Sequence, residues 1–170
     1  MKIIKTKFSG LLILKTKVYK DKRGYFKEVE KKKILKKNFI FDCFSFSKKN
    51  TLRGLHLQLK KPQAKIITVV YGKILDVVVD LRKNSKSFGK WISFILSDTE
   101  KKCLFVPRGF AHGYITLTKN TELIYFMDEF YSSKLSKGIV WNDSMINVKW
   151  PFQPKVISEK DKNLPGLKSL

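Results

Sequence analysis

Between Phe44 and Met127 the chain is a succession of short apolar runs, rich in β-branched and aromatic residues, each closed by a turn signal. IITVVY at 66–71, ILDVVVDL at 74–81, WISFILS at 91–97, CLFV at 103–106, GYITL at 113–117 and ELIYFM at 122–127 are strand-sized. Charge interrupts them before any reaches the length of a membrane-spanning helix. Strands that recur about every eight to twelve residues, with no long helical period between them, predict a sandwich, jelly roll or barrel. Gly72-Lys73 separates two of the runs and predicts a tight hairpin between them. Helix is expected only around 28–37 and near the C-terminus.

The flanks read differently. Residues 1–40 combine the strand-like LLILKTKVY with the turn DKRGYF, and 138–170 carry WND, WPF and SEKD among prolines. Each is too short to bury a core of its own. One domain over 1–170 is therefore expected, with an N-terminal arm at about 1–40, a barrel core at about 41–131 and a covering segment at about 132–170. At 170 residues, 43% hydrophobic and 13% aromatic, the chain has enough apolar surface to fold, which sets aside charge-driven disorder. No longer repeat is present, which argues against solenoids and propellers.

The net charge of +22 changes less than its size suggests. Only Arg23, Arg53, Arg82 and Arg108 are arginines; the other basic residues are lysines spread over almost every segment. A nucleic-acid surface would gather arginine on one element, so solvated lysine and no nucleic-acid partner are expected. Such a surface still attracts anions, nucleotides among them. The opening MKIIKTKFSG lacks the continuous apolar stretch of a secretory signal, so a cytoplasmic protein without a membrane partner is expected. Cys43 and Cys103 belong to no CxxC or Cys/His spacing and are expected as reduced core thiols.

Histidine is the scarcest reactive type, and both copies sit near glycine and arginine: Arg53-Gly54-Leu55-His56 and Arg108-Gly109-Phe110-Ala111-His112-Gly113. Glycine lets a backbone approach a ligand closely, and a buried arginine calls for an anion. Strand alternation puts His56 and Gln58 on one face, Gln63 and Lys65 on another, and Asp76, Val78 and Asp80 on a third. Two histidines, a lysine, an aspartate and a tyrosine converging inside an apolar barrel make a general acid–base pocket. A two-His-plus-carboxylate metal site is the competing reading. The chain has no HxH with a nearby Glu, so no metal is expected.

DKRGYF (21–26), LRGLHLQ (52–58), QAK (63–65), GKILDVVVDLR (72–82), SFGKW (87–91), VPRGFAHGY (106–114), the Tyr125 to Tyr131 stretch, GIVWND (138–143), WP (150–151) and SEKD (158–161) follow one another along nearly the whole chain. In this order they resemble the dTDP-4-dehydrorhamnose 3,5-epimerases. The resemblance implies an all-β, cupin-like jelly-roll barrel with short helical segments and terminal extensions, assembled as a homodimer. It also implies an epimerase without cofactor, inverting C3 and/or C5 of a nucleoside-diphosphate-4-keto-6-deoxy sugar in surface-polysaccharide precursor synthesis.

A C4 ketone acidifies C3 and C5, so inversion needs a base, an acid on the other face and a donor at the enolate oxygen. The family pattern implies His56 as base, Tyr125 as acid, Lys65 at the developing oxyanion and Asp161 as the carboxylate paired with His56. It makes Arg53 and His112 substrate contacts, and Arg23 and Lys160 contacts to the diphosphate-sugar portion. Phe26, Glu28 and Tyr131 would hold the nucleoside, with Arg23, Phe26 and Glu28 serving the neighbouring subunit; core packing is the other reading of Phe26. Arg108 is expected to support its loop and Arg82 to pair with a carboxylate in its strand. Phe41-Asp42-Cys43 replaces the family's Gln-Asp-Asn, and Ser136 stands where an acidic residue is usual. The base and sugar stay open between a dTDP-hexose and a GDP-heptose. A sugar-nucleotide-binding cupin without catalysis and a metal-dependent cupin enzyme are the alternatives.

Overall fold

The computed structural model describes residues 2–29 and 35–170. Two antiparallel sheets carry the fold. The six-stranded sheet has the order β1 (Lys2–Lys5), β2 (Leu12–Lys15), β10 (Lys102–Val106), β7 (Lys65–Tyr71), β12 (Asn120–Met127), β5 (Phe41–Lys48). The five-stranded sheet runs β13 (Ser136–Gly138), β6 (Leu52–Gln58), β11 (Phe110–Thr116), β8 (Lys73–Asp80), β9 (Trp91–Ser97). β3 (Val18–Asp21) and β4 (Gly24–Lys27) form a separate hairpin. The two sheets make a cupin-like jelly roll, as expected.

The core lies between the sheets because the inward positions of both are apolar. Ile67 and Val69 of β7, Leu104 and Val106 of β10 and Leu123 of β12 meet Ile74 and Val78 of β8, Leu96 of β9, and Phe110 and Tyr114 of β11. Each fully buried aliphatic side chain contributes roughly 1.5–3 kcal/mol relative to exposure. The flanks act as covering layers. Ile139, Ile146, Val148, Trp150 and Leu167 cover Val77, Val79 and Ala111 on the outer face of the five-stranded sheet. Val29, Leu35 and Phe39 cover Leu14, Ile66, Cys103 and Phe105 on the other.

Gly72-Lys73 does not close a hairpin. β7 pairs with β10 and β12, whereas β8 pairs with β11 and β9, so the link is a corner where the chain changes sheet. Gly72 has φ +85°, and a Cβ there would lie 2.5 Å from both the Asn120 carbonyl and Thr118 Oγ1. The glycine serves a crowded corner rather than a two-residue turn. The helix expected around 28–37 falls largely on 30–34, outside the described residues. Near the C-terminus the helix is one turn, α1 (Glu159–Lys162), followed by a 3-10 turn at Leu167–Ser169. Among the described residues, no helix is long and apolar enough to cross a membrane.

Candidate active site

One end of the sandwich opens into a cavity of about 380 Å³ between the sheets. The six-stranded sheet contributes Cys43 and Ser45 from β5, Lys65 from β7, and Tyr125 and Met127 from β12. The five-stranded sheet contributes Arg53, His56 and Gln58 from β6, and His112 and Tyr114 from β11. Register explains the grouping: Tyr125 lies opposite Cys43 and Ile67, Met127 opposite Lys65, and His112 opposite His56.

A close backbone approach organises the histidine wall. A Cβ on Gly54 would lie 2.6 Å from Gly113 Cα, so β6 and β11 touch where only glycines fit. The Gly54 N–H then points at the C-terminal segment and donates to Asp161 Oδ2 at 3.0 Å. Asp161 Oδ1 meets His56 Nε2 at 2.7 Å. Ser158 caps α1 by accepting from the Asp161 N–H, and the Val156 carbonyl accepts from the Leu52 N–H, tying the carboxylate's segment to β6. Burial pushes the Asp161 carboxyl up, but the hydrogen bonds from His56 and Gly54 outweigh it and hold it below its ordinary value. An ionised carboxylate only accepts, so His56 carries its hydrogen on Nε2 and leaves Nδ1 as the basic atom.

The second histidine is held similarly but deeper, with His112 Nε2 at 2.7 Å from Asp76 Oδ2. The His112 ring stands edge-on to Tyr125, centroids 6.2 Å apart. Burial raises the Tyr125 hydroxyl well above its ordinary value, reinforced by Tyr114 and Asp76, so it stays protonated at neutral pH. Burial also lowers Lys65 to about 8, with Asp76 and then Cys43 opposing the drop. Arg53 donates to Ser47 Oγ and to the Phe46 carbonyl, both at 3.0 Å.

All four residues expected to catalyse, together with Arg53, His112, Tyr131 and Lys160, thus line one cavity. Arg23, Phe26 and Glu28 do not; they lie on or beside the β3–β4 hairpin, where Arg23 pairs with Asp21 at 2.7 Å. Phe26 is 66% exposed and packs in no core. Arg82 pairs with Asp80 at 2.7 Å and Arg108 with Asp128 at 3.2 Å, as expected of supporting residues. Gln58 and Gln63 are occupied by the 129–132 loop: Gln63 Nε2 donates to the Glu129 carbonyl, and Gln58 Oε1 accepts from the Ser132 N–H.

Cys103 is a buried thiol, but Cys43 is only half-buried and lines the cavity, which corrects its expected place in the core. Ser45, Tyr114, Met127 and Ser158 were not singled out from sequence. Strand alternation around Cys43 was the available signal, since Cys43, Ser45 and Ser47 share a face of β5. Ser136, on β13, also lines the cavity. Among the described residues, no group of three or more His, Cys, Asp or Glu is placed to hold a metal ion.

A jelly-roll cavity that gathers a histidine–carboxylate pair, a protonated tyrosine and a lysine is equipped for acid–base chemistry. Comparison with known proteins names the family. The dTDP-4-dehydrorhamnose 3,5-epimerase family model matches residues 5–169, and the chain belongs to that family of isomerases. It is 42% identical to the dTDP-4-dehydrorhamnose 3,5-epimerase of Shigella flexneri, covering 96% of this chain and 94% of that enzyme. The crystal structure of the Bacillus anthracis enzyme of the same name, with TDP and PPi bound, is 41% identical with a TM-score of 0.94, covering 98% of this chain and 99% of that one. The Legionella pneumophila dTDP-6-deoxy-D-glucose-3,5-epimerase, in complex with dTDP-4-keto-L-rhamnose, is 34% identical with a TM-score of 0.94, covering 98% and 93%.

Proposed function

We propose that the chain inverts C3 and C5 of a dTDP-linked 4-keto-6-deoxy hexose by proton removal and return through an enolate. The observation that carries this reading is that His56 and Tyr125 come from opposing sheets and line the same cavity. Inversion requires the proton to leave one face of the sugar and return to the other. His56 Nδ1 takes the proton, and the C–H electron pair moves into the ring as the C4 carbonyl becomes an enolate. Lys65 donates to the enolate oxygen; one such donor is worth about 10²–10³ in rate. The enolate carbon then takes the Tyr125 hydroxyl proton, and the resulting phenolate and imidazolium exchange with water. Asp161 fixes the His56 tautomer and the orientation of its ring.

Arg53 and Lys160 suit the diphosphate-sugar portion, and Tyr131 offers a ring to the nucleoside. The dTDP assignment draws on the TDP and dTDP-4-keto-L-rhamnose found in the two related structures. The exposed Arg23 and Phe26 on the β3–β4 hairpin, and the outward Phe44 and Phe46 of edge strand β5, support a homodimer whose arm completes the partner's site. Incubation with dTDP-4-keto-6-deoxyglucose in D2O should place deuterium at C3 and C5 of the product, read by NMR. No incorporation, or faster turnover of a GDP-linked 4-keto-6-deoxy heptose, would overturn the substrate assignment.

A further inference from the structure

Residues 128–135, between β12 and β13, belong to no helix or strand, so no ladder of backbone hydrogen bonds sets their path. Side chains and isolated backbone bonds do so instead. Asp128 fixes the start: its N–H donates to the Ala64 carbonyl at 3.1 Å, and its Oδ1 accepts from the Ala64 N–H at 2.7 Å. Further on, the Ser132 carbonyl accepts from the Ser136 N–H at 2.9 Å. Tyr131 lies between these anchors, lining the cavity with its side chain exposed.

Two buried glutamines grip the stretch between the anchors. Gln63 donates from Nε2 to the Glu129 carbonyl at 2.8 Å. Gln58, the last residue of β6, does more. Its Oε1 accepts from the Ser132 N–H at 2.7 Å, and its Nε2 donates to the Lys61 carbonyl at 2.9 Å and to the Phe130 carbonyl at 3.3 Å. A primary amide has two hydrogens to give, and both are spent on backbone. Gln58 lines the cavity, yet it has no hydrogen left for a ligand. Its bonds hold the chain on either side of Tyr131, at Phe130 and at Ser132.

A ring on an irregular loop loses conformational freedom when it packs on a ligand, and a backbone already held in place reduces that cost. We propose that Gln58 is a positioning residue that acts through Tyr131, fixing the 130–132 backbone so that the ring is presented to the nucleoside before the ligand arrives. The proposal rests on Tyr131 being a nucleoside contact. An amide is suited to this task because it accepts from one side of the tyrosine and donates to the other; glutamate would keep the acceptor and lose both donors.

The test uses Gln58→Met, which keeps the length of the side chain and removes all three bonds. Amide hydrogen exchange followed by NMR should show the Ser132 N–H exchanging about tenfold faster or more in the variant. Calorimetry should show dTDP bound about three- to tenfold more weakly, with KM raised more than kcat is lowered. Tyr131→Ala should by itself weaken dTDP binding about tenfold, and adding Gln58→Met to it should change affinity by less than about twofold. An unchanged Ser132 exchange rate, or a further loss in the Tyr131→Ala background as large as in wild type, would overturn the proposal. If Gln58→Met does not fold, the wild type decides, because its Ser132 amide should exchange at least about tenfold more slowly than an unstructured amide. Exchange at the unstructured rate counts against the proposal. Tyr131→Ala binding dTDP as tightly as wild type would mark failure of the nucleoside reading and take the proposal with it. A weakened Tyr131→Ala beside an unaffected Gln58→Met would mark failure of the Gln58 role alone.

Discussion

His56 and His112 face each other across β6 and β11, and each is held by a carboxylate at 2.7 Å, yet their surroundings differ. The His56 side chain is 34% exposed and the His112 side chain 6%, so only His56 opens toward solvent and can shed a proton there. That difference favours His56 over His112 for the proton removal proposed above. In the proposed mechanism Tyr125 is the group on the facing sheet that returns the proton, and Tyr125→Phe separates the two steps. The variant keeps the ring and loses the hydroxyl; it should still exchange substrate hydrogen with D2O through His56 while forming little epimerised product. Loss of exchange and inversion in equal measure, by NMR of recovered substrate and product, would count against this role. The histidines were legible because the chain has only two, whereas Lys65 and Tyr125, among many lysines and six tyrosines, stood out only through the family resemblance. The β5 wall was not legible. Cys43-Phe44-Ser45-Phe46-Ser47 alternates as a strand should, but hydrophobicity alone puts the phenylalanines inside, whereas Phe44 is 60% exposed and the serines face inward. Both Ser45 and Ser47 hydrogen-bond to the Tyr114 hydroxyl, a pairing that no local pattern announces.

At the level of elements, strand positions were readable from runs of β-branched and aromatic residues, and strand partners were not. Periodicity reports that 66–71 and 74–81 are extended, but adjacency in sequence makes a hairpin look natural where the chain in fact changes sheet. The contact that decides this corner is between Gly72 and the Thr118–Asn120 turn, some fifty residues on. The position of Asp161 is similarly long-range: it needs the N–H of Gly54, which is close only because Gly54 and Gly113 abut. The β3–β4 hairpin shows the converse. DKRGYF was recognisable as a turn bearing ligand-like residues, and the hairpin carries them away from this chain's own cavity. If they serve a partner, mixing an Arg23→Ala/Glu28→Ala subunit with a His56→Ala subunit should restore part of the activity that each lacks. One site of the mixed dimer would then hold every group. Absence of recovery, with subunit exchange demonstrated, would exclude contacts in trans.

The whole molecule is strongly basic, with +22 formal charge, so its few buried carboxylates carry unusual weight. Asp80 accepts from Arg82 Nε and Nη2, Ser85 Oγ and Ser87 Oγ, at 2.6–2.8 Å. Burial raises its carboxyl, but Arg82 and the serines prevail and depress it far below the ordinary range. A depressed carboxylate stabilises fully above its unfolded pKa of about 3.9, and the contribution is lost as pH falls toward the folded value. Asp80→Ala should therefore cost about 2–3 kcal/mol at pH 7, the lower side for a broken buried pair because Arg82 is 31% exposed. Urea denaturation should show the difference between wild type and variant narrowing below about pH 4. A constant difference down to low pH would contradict the linkage. Catalysis itself is tested most directly in the intact enzyme by His56→Asn, incubated in D2O with dTDP-4-keto-6-deoxyglucose and followed by NMR, with dTDP binding measured calorimetrically on the same sample. The expected result is a loss of about 10²–10⁴ in exchange at both C3 and C5, with nucleotide affinity largely kept. Near-normal exchange at either carbon would contradict the assignment of His56 as the base.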